Sequence, residues 1–169
     1  MKKKLIMLLS TTLILGNAIA AYAAPPEISF ETATERPAMT KEQISATRRM
    51  NNLEKLFSMK YNNLQNGEVI TTRDSGKSID PGEIETGACF VTLTPNKNNV
   101  SGLTRVGFCH LENDSIVADD YCVFYSDKGG SGDLFVDQDT SYRCYGFVKN
   151  YNSQGGLSGT AQFDEYVNW

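Results

Sequence analysis

Histidine is almost absent from this sequence, since His110 is the only one among 169 residues. It lies in the strand-like segment VGFCHLE, directly after Cys109. Neighbouring residues of a strand point to opposite faces, so a Cys–His nucleophile pair is not expected here. A G-x-S-x-G nucleophile elbow is also missing. We therefore assign no catalytic residue and expect His110 to be an exposed or hydrogen-bonded strand residue.

Closely spaced cysteines are missing as well. The four cysteines are 20, 13 and 22 positions apart, whereas a structural zinc site needs close pairs such as C-x₂-C. An even number of cysteines behind a leader peptide favours two disulfides in an oxidising compartment. If the chain reverses at PNKNNVSG, Cys89 faces Cys109 and Cys122 is left to pair with Cys144. The other two possible disulfide connectivities of the four cysteines remain open.

Long apolar runs are confined to the first residues. MKKKLIMLLSTTLILGNAIAAYAA has three lysines, an apolar core from Leu5 to Leu15 and an A-x-A cleavage site at 21–23. This pattern predicts a signal peptide over 1–24, with no stable membrane span after its removal. We expect a bacterial protein that is secreted or periplasmic.

Basic residues do not outnumber acidic residues in this chain. It has 16 Lys and Arg against 20 Asp and Glu, and loss of the three leader lysines would change the formal net charge from −4 to about −7. An acidic chain is poorly suited to bind nucleic acid by bulk electrostatics, so we expect no nucleic-acid partner. The segment SGKS at 75–78 resembles the end of a phosphate-binding loop, but Thr71 stands where that motif needs its first glycine.

The domain plan has three parts after the leader. Residues 25–39 are rich in proline and predict a linker or arm. A capping box at Thr40 and Gln43, with Asn66-Gly67 as the stop, predicts one long amphipathic helix over 40–66. Its apolar stripe consists of Met50, Leu53, Phe57, Tyr61 and Leu64.

Residues 68–169 are predicted to form a β region, which together with the helix makes a single domain over 40–169. Short segments rich in Val, Phe and Tyr alternate with Gly, Asn, Asp and Ser, which is typical of antiparallel strands. We therefore expect the α+β class, with one long N-terminal helix packed on an antiparallel sheet of five to six strands and held by two disulfides.

The segment DKGGSGDLFVDQD at 127–139 is acidic and rich in glycine. Asp127, Asp133, Asp137 and Asp139 are weak calcium candidates, but Gln138 replaces the glutamate that completes an EF-hand loop. We interpret the segment as an acidic hairpin tip, with calcium affinity of about millimolar at best. No other cofactor is expected.

Aromatic residues are concentrated in the C-terminal half. Because Tyr and Trp supply rigid contact area at binding surfaces, Tyr145, Tyr151 and Trp169 are candidates for an aromatic binding surface. We expect a protein or glycan partner rather than a small molecule.

The plan of a long N-terminal helix followed by an antiparallel sheet resembles that of pilin and pseudopilin subunits. The resemblance implies a structural subunit of a surface or secretion assembly. Two further hypotheses come from the residues themselves: a secreted or periplasmic, non-enzymatic binding module, which we favour, and a small secreted hydrolase. A buried polar cleft around His110 would favour the hydrolase.

Overall fold

Two β-sheets packed face to face form the framework of the chain. The computed structural model describes residues 26–151 and 154–167, so the predicted leader and Trp169 lie outside the described residues. The strands are β1 (Ile28–Ser29), β2 (Thr34–Arg36), β3 (Asn52–Leu64), β4 (Val69–Thr71), β5 (Ala88–Pro95), β6 (Leu103–Glu112), β7 (Ser115–Tyr125), β8 (Gly130–Phe135), β9 (Tyr145–Asn150) and β10 (Leu157–Val167). Helix α1 spans Lys41–Met50, and short 3₁₀ turns span Thr72–Ser75 and Pro81–Glu83.

The first sheet has the order β1–β7–β6–β9–β4, with β2 following β1 along the same edge of β7. Both β1 and β2 run parallel to β7, and the other pairs are antiparallel. The second sheet has the antiparallel order β3–β10–β5–β8. The predicted α+β plan of one antiparallel sheet under a long helix is therefore wrong, because the described chain is mainly β.

The predicted helix over 40–66 divides into a helix and a strand. Its start is correct, since the Gln43 backbone N–H donates to Thr40 Oγ1 (3.2 Å) and the Thr40 N–H donates to Gln43 Oε1 (2.8 Å). However, α1 ends at Met50, and β3 pairs with β10 over its length. The spacing of four between Phe57 and Tyr61 fits one face of a helix, but it also fits one face of a strand. Pairing with β10 therefore decides between the two.

The main core lies between the two sheets. Phe57 of β3 and Phe163 of β10 have ring centroids 4.9 Å apart, and Phe163 is 5.3 Å from Phe108 of β6. Side chains from both sheets are buried in this one cluster. Packing of two sheets through interleaved side chains thus replaces the helix-on-sheet packing expected from the sequence.

The segment 26–39 closes a second apolar cluster on the outer face of the first sheet. Phe30 makes edge-to-face contacts with Tyr121 (5.0 Å) and Phe147 (5.8 Å). Ile28 of β1 is buried in the same cluster. These contacts hold the arm against β7 and place Arg36 of β2 beside that strand.

The predicted disulfides Cys89–Cys109 and Cys122–Cys144 are wrong, because all four cysteines are buried free thiols. The segment between β5 and β6 crosses from one sheet to the other, so Cys89 lies opposite Leu134 and not Cys109. Cys122 lies opposite Val106, and the backbone of Cys144 pairs with that of Ile79 in an isolated antiparallel β-bridge. A turn position read from sequence gave no information on which sheet each strand joins.

Candidate functional site

Strand β7 carries one extra residue where it passes β6. Phe108 lies opposite Asp120, but the next residue, Cys109, lies opposite Ala118. Asp119 therefore has no counterpart on β6 and forms a β-bulge. Bulges re-aim side chains and occur often beside functional sites.

The bulge brings two consecutive carboxylates to the same side of the sheet. Ala118 before it and Tyr121 after it both belong to the outer apolar cluster. Asp119 and Asp120 instead line one cleft, together with His110 of β6. In a regular strand, two consecutive residues would point to opposite faces.

This cleft, which we call the His110 cleft, has a volume of about 480 Å³. It lies where β2, β6, β7, the end of β8 and the segment before β9 meet. Its lining residues are Thr32, Thr34, Arg36, His110, Asp119, Asp120, Phe135, Val136, Asp137, Tyr142 and Cys144. Most of these side chains are polar or charged, in contrast to the apolar core next to them.

His110 is held by a carboxylate and an aromatic ring. Its Nδ1 is 2.7 Å from Asp119 Oδ1, and its ring stacks on Tyr142 with centroids 4.0 Å apart and planes at 19°. When the carboxylate is charged, Nδ1–H donates to it, and Nε2 is the acceptor nitrogen of the neutral ring. The imidazole is thus oriented as a hydrogen-bonding group.

Two further side chains of the cleft contact the Asp119 carboxylate. The Tyr142 hydroxyl donates to its Oδ1 at 3.4 Å, and the Cys144 thiol lies 3.9 Å from its Oδ2. Burial raises the pKa of the Asp119 carboxyl, and His110 acts in the opposite direction. Burial and Asp119 raise the pKa of Tyr142 to about 12, so Tyr142 is a neutral donor at physiological pH.

Asp120 forms the other charged pair of the cleft. Its Oδ2 accepts from Arg36 Nε at 2.6 Å and from the Phe135 backbone N–H at 2.7 Å. Arg36 also stacks over the Phe135 ring at 4.3 Å. Burial raises the pKa of Asp120, while the bonds from Arg36 and Phe135 lower it. Asp120 Oδ1 is buried and has no hydrogen-bond donor among the described residues.

Cys144 is a poor nucleophile in this arrangement. Burial, with a second contribution from Asp119, raises the pKa of its thiol to about 12. Nucleophilic cysteines need the opposite, a lowered pKa that favours the thiolate. The chemistry that the described cleft supports best is hydrogen bonding to a polar ligand through His110, Tyr142 and the carboxylates.

The aromatic residues proposed from sequence lie away from this cleft. Tyr145 is half-buried against the outer apolar cluster. Tyr151 is exposed, and its ring lies 3.8 Å from the Arg105 guanidinium. Trp169 falls outside the described residues.

The four calcium candidates do not form a common ligand cluster in the described structure. Asp127 is in the turn before β8, and Asp133 within β8 accepts from the Tyr166 hydroxyl. Asp137 Oδ1 accepts from the Asp139 backbone N–H at 3.1 Å. In residues 26–151 and 154–167, no group of three or more His, Cys, Asp or Glu side chains is placed to hold a metal ion. The segment is also not a simple hairpin, because β8 pairs with β5.

Sequence reasoning singled out His110, Asp137 and Cys144 but missed the other residues of the His110 cleft. Asp119 and Asp120 were not among the candidates from sequence, although Asp120 is only 3% exposed and lines the cleft. The available signal was the DD pair in SIVADDYCVFY, where two acids interrupt an alternating strand. Arg36 carried no comparable signal, since it reaches the cleft only through the pairing of β2 with β7.

No helix in the described part of the chain is long and apolar enough to cross a membrane. Comparison with protein-family models, curated proteins and solved structures finds no match to this chain.

Proposed function

We propose that the chain is a secreted or periplasmic, non-enzymatic binding module whose ligand site is the His110 cleft. The observation that carries this proposal is the bulge at Asp119, which aligns two carboxylates beside His110 in a cleft. Placing two acids there is costly, because desolvation disfavours their charged forms. A ligand that hydrogen-bonds to these groups would offset that cost. Export is supported by the leader pattern of residues 1–24 alone.

A glycan is the partner that this set of groups suits best. Carboxylates, imidazole and guanidinium groups accept from or donate to hydroxyls, and the partly exposed Phe135 ring adds an apolar surface. Ligand sites commonly combine such an apolar wall with a few convergent polar groups. A protein partner that presents hydroxyl or amide groups is the alternative.

A glycan array probed with the wild-type protein and with Asp119→Asn tests this proposal. Asparagine keeps the shape of the side chain but removes the charge that orients His110, so array binding should fall at least tenfold. Asp139→Asn is the matched control, because it removes one carboxylate at an exposed position outside the cleft. The proposal is wrong if two results are found together. The wild type binds no glycan, and every exported protein that it retains is also retained by Asp119→Asn.

A small secreted hydrolase is the second candidate, favoured by the polar cleft around His110 and by the His110–Asp119 pair. It ranks second because Cys144, the thiol in the cleft, is not activated as a nucleophile. A histidine oriented by a carboxylate can act as a general base on water without a protein nucleophile. Hydrolysis of chromogenic esters and glycosides that is abolished in both His110→Ala and Asp119→Asn would establish it. The pilin-like hypothesis loses its basis, since the long helix that carried the resemblance is absent from the described residues.

A further inference from the structure

A second concave surface lies at the free edge of the second sheet. It is a groove of about 500 Å³ between β3 residues 55–58 and the segment 76–79, with Arg143 at one side. We call it the β3 groove. It shares no lining residue with the His110 cleft. It also contains Gly76, Lys77 and Ser78 of the SGKS segment.

The β3 groove is basic in a chain whose formal net charge is −4. Lys55, Lys77 and Arg143 line it from three separate segments, and no Asp or Glu is among its lining residues. Lys55 also lies opposite Asp164 of β10, so Lys77 and Arg143 are the main cations of the groove. Arg143 Nη1 donates to Ser78 Oγ at 3.0 Å, which links two of the segments that line the groove. A basic groove on an acidic protein favours an acidic partner through electrostatic complementarity.

One wall of the groove is a strand edge. β3 is 13 residues long, and within the described chain it pairs only with β10. Such an edge offers backbone N–H and C=O groups to an additional extended chain. The groove also has an apolar floor, formed by the buried Phe57 and Ile79 and the half-buried Leu56.

We propose that the β3 groove binds an extended acidic peptide segment of a partner protein, which adds to β3 as a further strand. Residues 55–58 of β3 line the groove and include a bulge at Leu56 in the pairing with β10. Four residues of extended chain span about 13 Å. A small anion would use the three cations only, whereas an alternating acidic and apolar peptide also uses the strand edge and the floor. Lysines on an edge strand oppose pairing between two copies of the same chain, but they attract an acidic strand.

Fluorescence anisotropy with a labelled peptide of alternating Glu and Val tests the proposal. The wild type should bind the peptide, and added salt should weaken binding because the contacts are exposed. A triple variant, Lys55→Glu, Lys77→Glu and Arg143→Glu, should bind at least tenfold more weakly. The control is Lys41→Glu, Lys97→Glu and Lys128→Glu, which makes the same change in charge at exposed positions outside the groove and should bind like the wild type. A thermal melt confirms that both variants are folded.

A peptide that is N-methylated at alternate residues separates strand addition from simple charge attraction. Methylation removes the backbone donors but keeps every carboxylate, so binding should fall at least tenfold. Equal binding of both peptides, or a sulfated polysaccharide that binds more tightly than the peptide, would overturn the proposal and indicate a general polyanion site. No binding of the unmodified peptide would overturn it as well.

Discussion

Tyr142, Arg143 and Cys144 are consecutive, yet they contribute to two different surfaces. Tyr142 and Cys144 line the acidic His110 cleft, and Arg143 lines the basic β3 groove. The cleft is built from buried charges held by specific partners, whereas the groove cations are exposed. Changes in the cleft should therefore affect folding and binding together, and changes in the groove should affect binding alone.

Gly107→Ala should have the largest effect, because it disturbs the backbone beside the bulge. A Cβ at this position would clash with the Asp120 carbonyl oxygen and lie 2.6 Å from Tyr121 Cα. We expect destabilisation of about 3 kcal/mol, at the upper end of overpacking effects, measured by urea unfolding. The control is Gly82→Ala, whose Cβ would lie 3.6 Å from Asp80 Oδ1 in ordinary contact. Equal stability of the two variants would show that the bulge tolerates a side chain.

Asp120→Ala should have the next largest effect on stability. It leaves the Phe135 N–H and the Arg36 guanidinium without their acceptor, and an unsatisfied buried donor costs about 1 to 3 kcal/mol. Urea unfolding should show a loss in that range, and Asp120→Asn should lose less because an amide oxygen remains. A loss below about 0.5 kcal/mol, the ordinary range of surface substitutions, would mean that the Arg36–Asp120 pair does not support the cleft.

Stability should increase when the pH is lowered from 7 toward 3.8, through the raised pKa values of three buried carboxyls. Burial raises the pKa of Asp119, Asp120 and Asp164 above the ordinary value of 3.8. The folded state therefore binds more protons than the unfolded state. The resulting gain in the free energy of unfolding is complete below pH 3.8, and it is lost as the pH rises through the raised pKa values of the folded state. The melting temperature should rise as the pH falls through this range. Asn at all three positions should flatten the profile, and an unchanged slope would contradict this account.

Lys77→Ala should have the smallest effect on stability. The side chain is exposed and lies in the β3 groove, so the free energy of unfolding should change by less than about 0.5 kcal/mol. Binding of the acidic peptide should nevertheless weaken measurably. A large loss of stability would show that the groove, like the cleft, is part of the structural framework.

Patterns local in sequence predicted the local structure well. The capping box at Thr40 and Gln43 identified the start of α1, because its hydrogen bonds involve residues three apart. The strands after residue 68 followed the alternation of Val, Phe and Tyr. The end of the helix was wrong because the spacing of four from Phe57 to Tyr61 fits both kinds of element.

The candidate site was accessible to sequence reasoning only in part. The DD pair at 119–120 interrupts an alternating strand, and this could have indicated a bulge. The neighbours of the pair could not be found in the same way, because Arg36 is 84 residues from Asp120 and Tyr142 is 23 residues from Asp119. These contacts depend on which strands become partners.

The sequence by itself determined the acidic balance, the leader pattern, the start of α1 and the strand-rich character of residues 68–169, since each depends on composition or on neighbours a few residues apart. The tertiary structure decided that β5 and β6 join different sheets, that all four cysteines stay apart as thiols, and that His110 meets Asp119 in a cleft. The physical reason is that strand pairing is a non-local choice. One residue of register, as at the Asp119 bulge, changes the face to which a side chain points.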